Sequence, residues 1–293
     1  MPAQTTTLPR RLLARRLVEL RETAKLTRDK AAQLSEISTH TLWRLETGQG
    51  SQIKKIIIRA LCDVYEATED DRTALLWLAE QSRKEGWWQS YSEEIVDYVG
   101  LFIGLEQSAR RITSFQLTLL PGLVQTAEYR RAIALAFDPG VTDEEIERHV
   151  ELLTKRQRRL EDSTDDFTLD VMLSEAALRH HVGGRAVMAG QVSRLIDLAN
   201  RPNVSISLVP LTTSGYLGLQ AGSFVLLEFP HHPNPALTEP PVAYVEGYTG
   251  ALYLDKSDEI EQYRAAVSSI RNAALSATES RALLQAVLEE YRA

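Results

Sequence analysis

The stretch Leu26–Gly48, LTRDKAAQLSEISTHTLWRLETG, decides how the first third of the chain folds. Thr27 is placed to cap a helix over RDKAAQL, because its hydroxyl can accept an N–H of the first turn. Ser38 is placed to cap a second helix, THTLWRLE, which stops near Gly48. Ala31 and Ala32 are the small residues that a close helix crossing needs. Leu34, Ile37, Leu42 and Leu45 recur at the spacing that docks the second helix on a core. The open face of that helix then carries Thr39, His40, Trp43 and Arg44, in position to meet base edges in a major groove.

Working outward, the pattern stays helical. LPRRLLARRLVELRETA has Leu12, Leu13, Leu17, Val18 and Leu20 on one side and arginines on the other, an amphipathic helix. A fourth helix is expected from about 52 to 65, with Ile53, Ile56, Ile57, Ala60, Leu61 and Val64 inward, and a fifth from about 71 to 83. Together these make a compact all-α unit.

The stretch resembles the xenobiotic-response-element type, or lambda-repressor-like, helix-turn-helix family. Its pattern is met without a gap at Leu26, Thr27, Ala31, Ala32, Ile37, Ser38, Thr41, Leu42, Arg44, Leu45, Glu46 and Gly48. It departs at Arg28, where the family usually has a glutamine that holds a phosphate, a task arginine also performs. It departs at Glu36, where the turn usually has glycine and a side chain is strained if φ is positive. Trp43 replaces a small polar residue, and the loop GQGSQ lacks the usual arginine and proline. The resemblance implies a DNA-binding unit. Base contacts are expected from Thr39, His40, Trp43 and Arg44, and phosphate contacts from Lys25, Thr27, Arg28, Gln49, Ser51, Lys54 and Lys55. Plainer roles stay open: solvation for Thr39, His40 and the lysines, packing in the domain or at a dimer face for Trp43, and phosphate rather than base for Arg44. Glu46 reads as structural, holding a neighbouring loop or the first helix. Arg10, Arg11, Arg15 and Arg16 form a basic cluster that either reaches a nucleic-acid backbone or is a solvated face.

Charge distribution supports a polyanion partner. The net charge is −7, yet residues 1–62 hold 12 Lys/Arg and 5 Asp/Glu, an asymmetry typical of a chain in which one part meets nucleic acid. The single cysteine, Cys62, excludes an internal disulfide and a cysteine-rich zinc site. The absence of any apolar run near the roughly 20 residues of a membrane span, and of a signal-like opening, leads to an expectation of a cytoplasmic protein that does not touch membranes.

From about residue 92 the pattern changes. Helices are expected at 93–112, 124–137, 142–161, 174–181, 185–200, 257–275 and 277–291. Strands are expected at 167–173, 204–211, 223–229, 242–246 and 251–255, rich in Val, Ile, Phe and Tyr and bounded by Gly, Pro and Asn. The expected fold is thus an all-α five-helix unit over 1–83, a junction at 84–92 around Trp87 and Trp88, and an α+β regulatory or dimerisation domain over 93–293. The segments GWWQSY, LLPGLVQTAEYRRAI, LSEAALRHHVGGRAVMAGQ and YVEGYTGALYLD resemble actinobacterial antitoxin-like regulators with a C-terminal domain of unassigned biochemistry. That resemblance implies a transcription factor, often encoded beside a small partner protein.

No catalytic constellation emerges. His180-His181 and His231-His232 lack carboxylates or cysteines at ligand spacing, VGGRAVM lacks the fuller phosphate-loop patterns, and no nucleophile-elbow motif is present. No enzyme activity, cofactor or metal is expected. LLPGLVQT reads as a buried turn and core helix, or as a ligand or partner groove. The expected function is a sequence-specific transcriptional regulator binding a palindromic operator on double-stranded DNA as a homodimer. Its larger domain would sense a small-molecule effector or a partner protein. The alternative is an antitoxin-like protein that mainly sequesters a small partner polypeptide and autoregulates its operon.

Overall fold

A computed structural model describes residues 8–49, 53–82, 91, 97–161, 166–234 and 238–293. Ser51, Trp87 and Trp88 therefore lie outside the described residues. The chain divides into two units. One comprises residues 1–108 with 229–239, the other 109–228 with 240–293.

The first unit is helical: α1 (Leu8–Thr23), α2 (Arg28–Leu34), α3 (Thr39–Glu46), α4 (Lys55–Val64), α5 (Glu69–Gln81) and α6 (Asp97–Ser108). Helices of seven or eight residues are too short to persist alone, so their ends and inner faces must be fixed by the rest of the unit. At the N-termini, the Thr27, Ser38 and Thr68 hydroxyls accept from Lys30, Thr41 and Asp71 N–H. At the C-termini, α1 to α4 share one device. Lys25, Glu36, Gly48 and Glu66 adopt positive φ of 56°, 55°, 70° and 51°. The next N–H then reaches back five residues, from Leu26 to Arg21 O, Ile37 to Ala32 O, Gln49 to Arg44 O and Ala67 to Cys62 O. This is the Schellman closure, and Leu26, Ile37 and Ala67 supply its apolar contact against the core.

Ala31, Ala32, Leu42 and Leu45 are buried as expected, with Leu12, Leu13, Leu17, Ile58, Leu61, Leu75 and Leu78. Two expected core positions differ. Leu34 is 49% exposed, because α2 ends there and the chain turns away. Ile56 is 72% exposed, because α4 starts at Lys55 and its inward spacing runs Ile58, Leu61, Cys62 instead. Cys62 packs as a small apolar side chain, and burial pushes its thiol up to about 11.

Glu46 is the charged residue of α3 that faces inward. Its side chain is 1% exposed and accepts from Arg21 Nε of α1 at 2.6 Å and Arg28 Nε of α2 at 2.8 Å. Arg21 also donates to Leu26 O at 3.0 Å, and the hydrogen bond to Glu46 is the main cause raising its guanidinium above the ordinary value. One carboxylate thus ties three helices together.

The second unit is a six-stranded mixed sheet with helices, ordered β3-β2-β1-β4-β5-β6. β1 (Arg111–Gln116), β2 (Thr168–Ser174) and β3 (Val204–Val209) run parallel. β4 (Phe224–Glu228), β5 (Val242–Gly247) and β6 (Gly250–Leu254) continue antiparallel from β1. Crossovers carry α7 (Ala127–Phe137) and α8 (Asp143–Gln157) between β1 and β2, and α9 (Ala176–Arg179) and α10 (Arg185–Leu198) between β2 and β3. A short α11 (Leu217–Ala221), not expected from the sequence, precedes β4. α12 (Ser257–Ala273) and α13 (Ala277–Arg292) close the chain.

Phe115, Met172, Phe224, Leu226 and Ala243 of the sheet pack with Ile260, Val267 and Ile270 of α12. Edge strand β3 is covered, since Leu208 N donates to Ser280 Oγ and Leu208 O accepts from Leu275 N. The helix expected over 93–112 gives way after Ser108 to β1. That strand lies between two neighbours and buries Ile112 to Phe115 on both faces, so it lacks the alternation that marks a half-exposed strand.

Two substitutions test these devices by denaturant unfolding. Glu36→Gly relieves the positive φ and should raise stability by about 0.5–1 kcal/mol; a loss would show that the turn needs the side chain. Glu46→Gln leaves Arg21 and Arg28 without their shared charge. It should cost about 2 kcal/mol, less than a fully buried pair because the Arg28 side chain is 39% exposed. A change under about 0.5 kcal/mol would mean that the network does not hold the helices.

Candidate nucleic-acid interface

With Leu42, Leu45 and Glu46 committed inward, the helical period sends Thr39, His40, Trp43 and Thr47 to the outer face of α3, where all four are exposed. The His40 and Trp43 rings stack one turn apart, with centroids 5.8 Å apart and planes 30° apart. Trp43 is 37% exposed. It is therefore not buried in the core of its own unit, and of the plainer roles packing at a dimer face stays open.

The other expected base contacts are already oriented. Thr39 Oγ1 donates to Asp29 Oδ1 of α2 at 2.9 Å, which positions the hydroxyl at the first turn of α3. Arg44 is partly exposed and donates Nη2 to Gln49 O at 3.2 Å, folding the guanidinium along the loop that follows α3. Thr47 Oγ1 donates to Trp43 O at 2.8 Å.

The expected phosphate contacts fall into two groups. Lys25, Thr27, Gln49 and Lys54 are exposed at helix ends: Lys25 after α1, Thr27 as the cap of α2, Gln49 after α3, and Lys54 before α4. Arg28 and Lys55 are engaged within the unit. Arg28 Nε is held by Glu46, and Lys55 Nζ pairs with Glu80 at 2.9 Å. Ser51 lies outside the described residues.

The basic cluster of α1 is neither a free anion-binding face nor a solvated one. Arg10 Nε donates to Ser82 O at 3.2 Å. Arg11 Nε and Arg15 Nη1 each lie 3.1 Å from the carboxylate of Glu239, whose side chain is 1% exposed. Arg16 holds Asp71 Oδ1 at 2.7 Å and Glu19 at 2.8 Å. Burial works against its charge, and those hydrogen bonds outweigh burial, so its guanidinium ends above the ordinary value. Glu239 belongs to the connection between β4 and β5, over 220 residues away in sequence. No local spacing announces such a partner.

Asp29, which orients Thr39, is not singled out by any sequence pattern. Its partner Thr39 is ten residues away across the turn, so neither helical nor strand periodicity links them. The only hint is an acidic residue beside a helix start otherwise surrounded by cations.

Among the described residues no group of three or more His, Cys, Asp or Glu could hold a metal ion. No helix among them is long and apolar enough to cross a membrane.

Comparison with known families divides the chain near the same point, with residues 99–108 and 229–239 of the first unit falling inside the second match. The family described as "Helix-turn-helix domain" matches residues 12–75, which contain α2 through α4 and most of α1 and α5. The family described as "Domain of unknown function (DUF5753)" matches residues 99–286. No curated protein and no solved structure matches the chain. The N-terminal region is thus a DNA-binding helix-turn-helix domain, and the chain, more than half of it matched by the second family, belongs to the DUF5753 family.

Proposed function

We propose that this protein is a sequence-specific transcriptional regulator that inserts the outer face of α3 into the major groove of double-stranded DNA. The observation that carries this is the exposed His40–Trp43 stack on a helix whose inner face is locked by Leu42, Leu45 and Glu46. An aromatic ring kept in water on a short, fully anchored helix is positioned for a partner. His40 brings a ring N–H and an acceptor nitrogen for base edges, and Trp43 brings apolar surface suited to a thymine methyl group. Thr39, held by Asp29, and Arg44 flank the pair.

Lys25, Thr27, Gln49 and Lys54 then hold phosphates on either side of the groove, where contacts set register rather than sequence. One eight-residue helix reads too few base pairs for useful selectivity. The operator is therefore a two-fold sequence bound by a homodimer, with half-sites about one helical turn, about 34 Å, apart. The second unit receives the signal, a small ligand or a partner polypeptide, and the protein performs no catalysis of its own.

A duplex selected from a random pool gives the test. His40→Ala with Trp43→Ala should weaken binding to the selected site by about 1–3 kcal/mol per lost base contact and leave random duplex nearly unaffected. Equal loss on both would assign these residues to non-specific binding. Lys54→Ala should weaken every duplex alike and reduce the slope of log affinity against log salt by about one. A loss confined to the selected site would contradict its role at phosphate.

A further inference from the structure

The first turn of α2 grips α3 at two points. Arg28 Nε donates to Glu46 at 2.8 Å. The next residue, Asp29, accepts from Thr39 Oγ1 on Oδ1 at 2.9 Å. Thr39 and Glu46 are seven residues apart, close to two turns, so both grips lie along one side of α3. The caps Thr27 and Ser38 fix the starts of the two helices. The approach of Asp29 to Thr39 is therefore set by the fold of the unit and needs no DNA to establish it.

The chemistry of the two groups gives this bond a direction. A carboxylate can only accept, whereas a hydroxyl has one proton to give and two lone pairs. Thr39 therefore commits its proton to Asp29, and what it offers to a partner is lone pairs alone. Both side chains are exposed. Among the described residues neither makes another hydrogen bond or an ion pair, so Asp29 Oδ2 is a second acceptor with no partner there. Together Thr39 and Asp29 present acceptors only. A Thr39 free of Asp29 would turn its hydroxyl either to give or to take, and would discriminate little between bases.

In the major groove the donors are exocyclic amino groups, N4 of cytosine and N6 of adenine. Guanine O6 and N7 and thymine O4 are acceptors, and would meet lone pairs and a negative charge. We propose that Asp29 is a positioning residue that sets base preference: it holds Thr39 as a pure hydrogen-bond acceptor, so this end of α3 selects cytosine or adenine on the strand it faces. The inference rests on the reading of α3 as the helix that enters the groove. A carboxylate beside a polyanion weakens binding to every duplex, a penalty that selectivity offsets. The bond is already made in the free protein, so the hydroxyl needs no reordering when DNA arrives.

The test selects duplexes from a random pool with the full-length parent, with Asp29→Asn and with Thr39→Val. The parent's site should contain a position, cytosine or adenine, whose preference Thr39→Val abolishes, and the base enriched there names which amino group is read. Asp29→Asn keeps the side-chain shape, but its amide can donate to Thr39 Oγ1 and free the hydroxyl to donate in turn. Preference at that one position should fall below about twofold in Asp29→Asn, while random duplex binds at least as well because a negative charge has gone. Replacing that base by an analogue without its amino group, purine for adenine or pyrimidin-2-one for cytosine, should weaken the parent about fivefold or more and leave both variants nearly unaffected. Guanine or thymine at the Thr39-dependent position, no position that responds to Thr39→Val, or a preference that survives Asp29→Asn would overturn the inference and leave DNA binding standing. An equal loss on all duplexes in Asp29→Asn would also overturn it, since that marks a residue that only supports the start of α2. A parent that enriches no duplex would instead overturn the regulator reading, and this inference with it.

Discussion

A buried carboxylate has to find its counter-charges inside the protein, and Glu46 finds them on two other helices. That requirement sets the geometry of the DNA-binding unit. It turns one side of α3 toward Arg21 and Arg28, and the period of the helix then fixes which residues face outward. Leu42 and Leu45 contribute apolar burial to the same side. Apolar packing alone tolerates a helix that slides or rolls slightly, whereas two hydrogen bonds of 2.6 and 2.8 Å to one carboxylate do not. The His40–Trp43 stack is consequently presented in a defined orientation by a helix of only eight residues.

Short helices also need firm ends. Four consecutive helices close with the same left-handed residue and five-residue back-bond, although glycine occupies that position only at Gly48. Lys25, Glu36 and Glu66 accept the backbone strain, and the apolar residue that follows each is pinned to the core. The strain is tolerated because the closures let four helices turn within a few residues of one another.

Features carried by neighbouring residues were legible in the sequence. The caps Thr27 and Ser38, the crossing at Ala31 and Ala32 and the stop at Gly48 all lie within one or two helical turns of what they act on. Five of the six strands were likewise marked by β-branched runs between turn residues. Features set by distant partners were not legible. β1 was missed because a strand buried on both faces shows no alternation. The arginines of α1 read as a DNA-facing or solvated cluster because Glu239 and Asp71 lie far along the chain. Thr39 read as free because nothing local ties it to Asp29.

The central claim is that the outer face of α3 enters the major groove. Dimethyl sulfate protection of guanine N7 on a duplex selected by the full-length protein tests it most directly, because N7 lies on the major-groove edge. The account predicts N7 protection in two patches about one helical turn apart, lost when His40 and Trp43 are both replaced by alanine. Binding without N7 protection, protection indifferent to those two residues, or no enrichment of any duplex at low salt would contradict it.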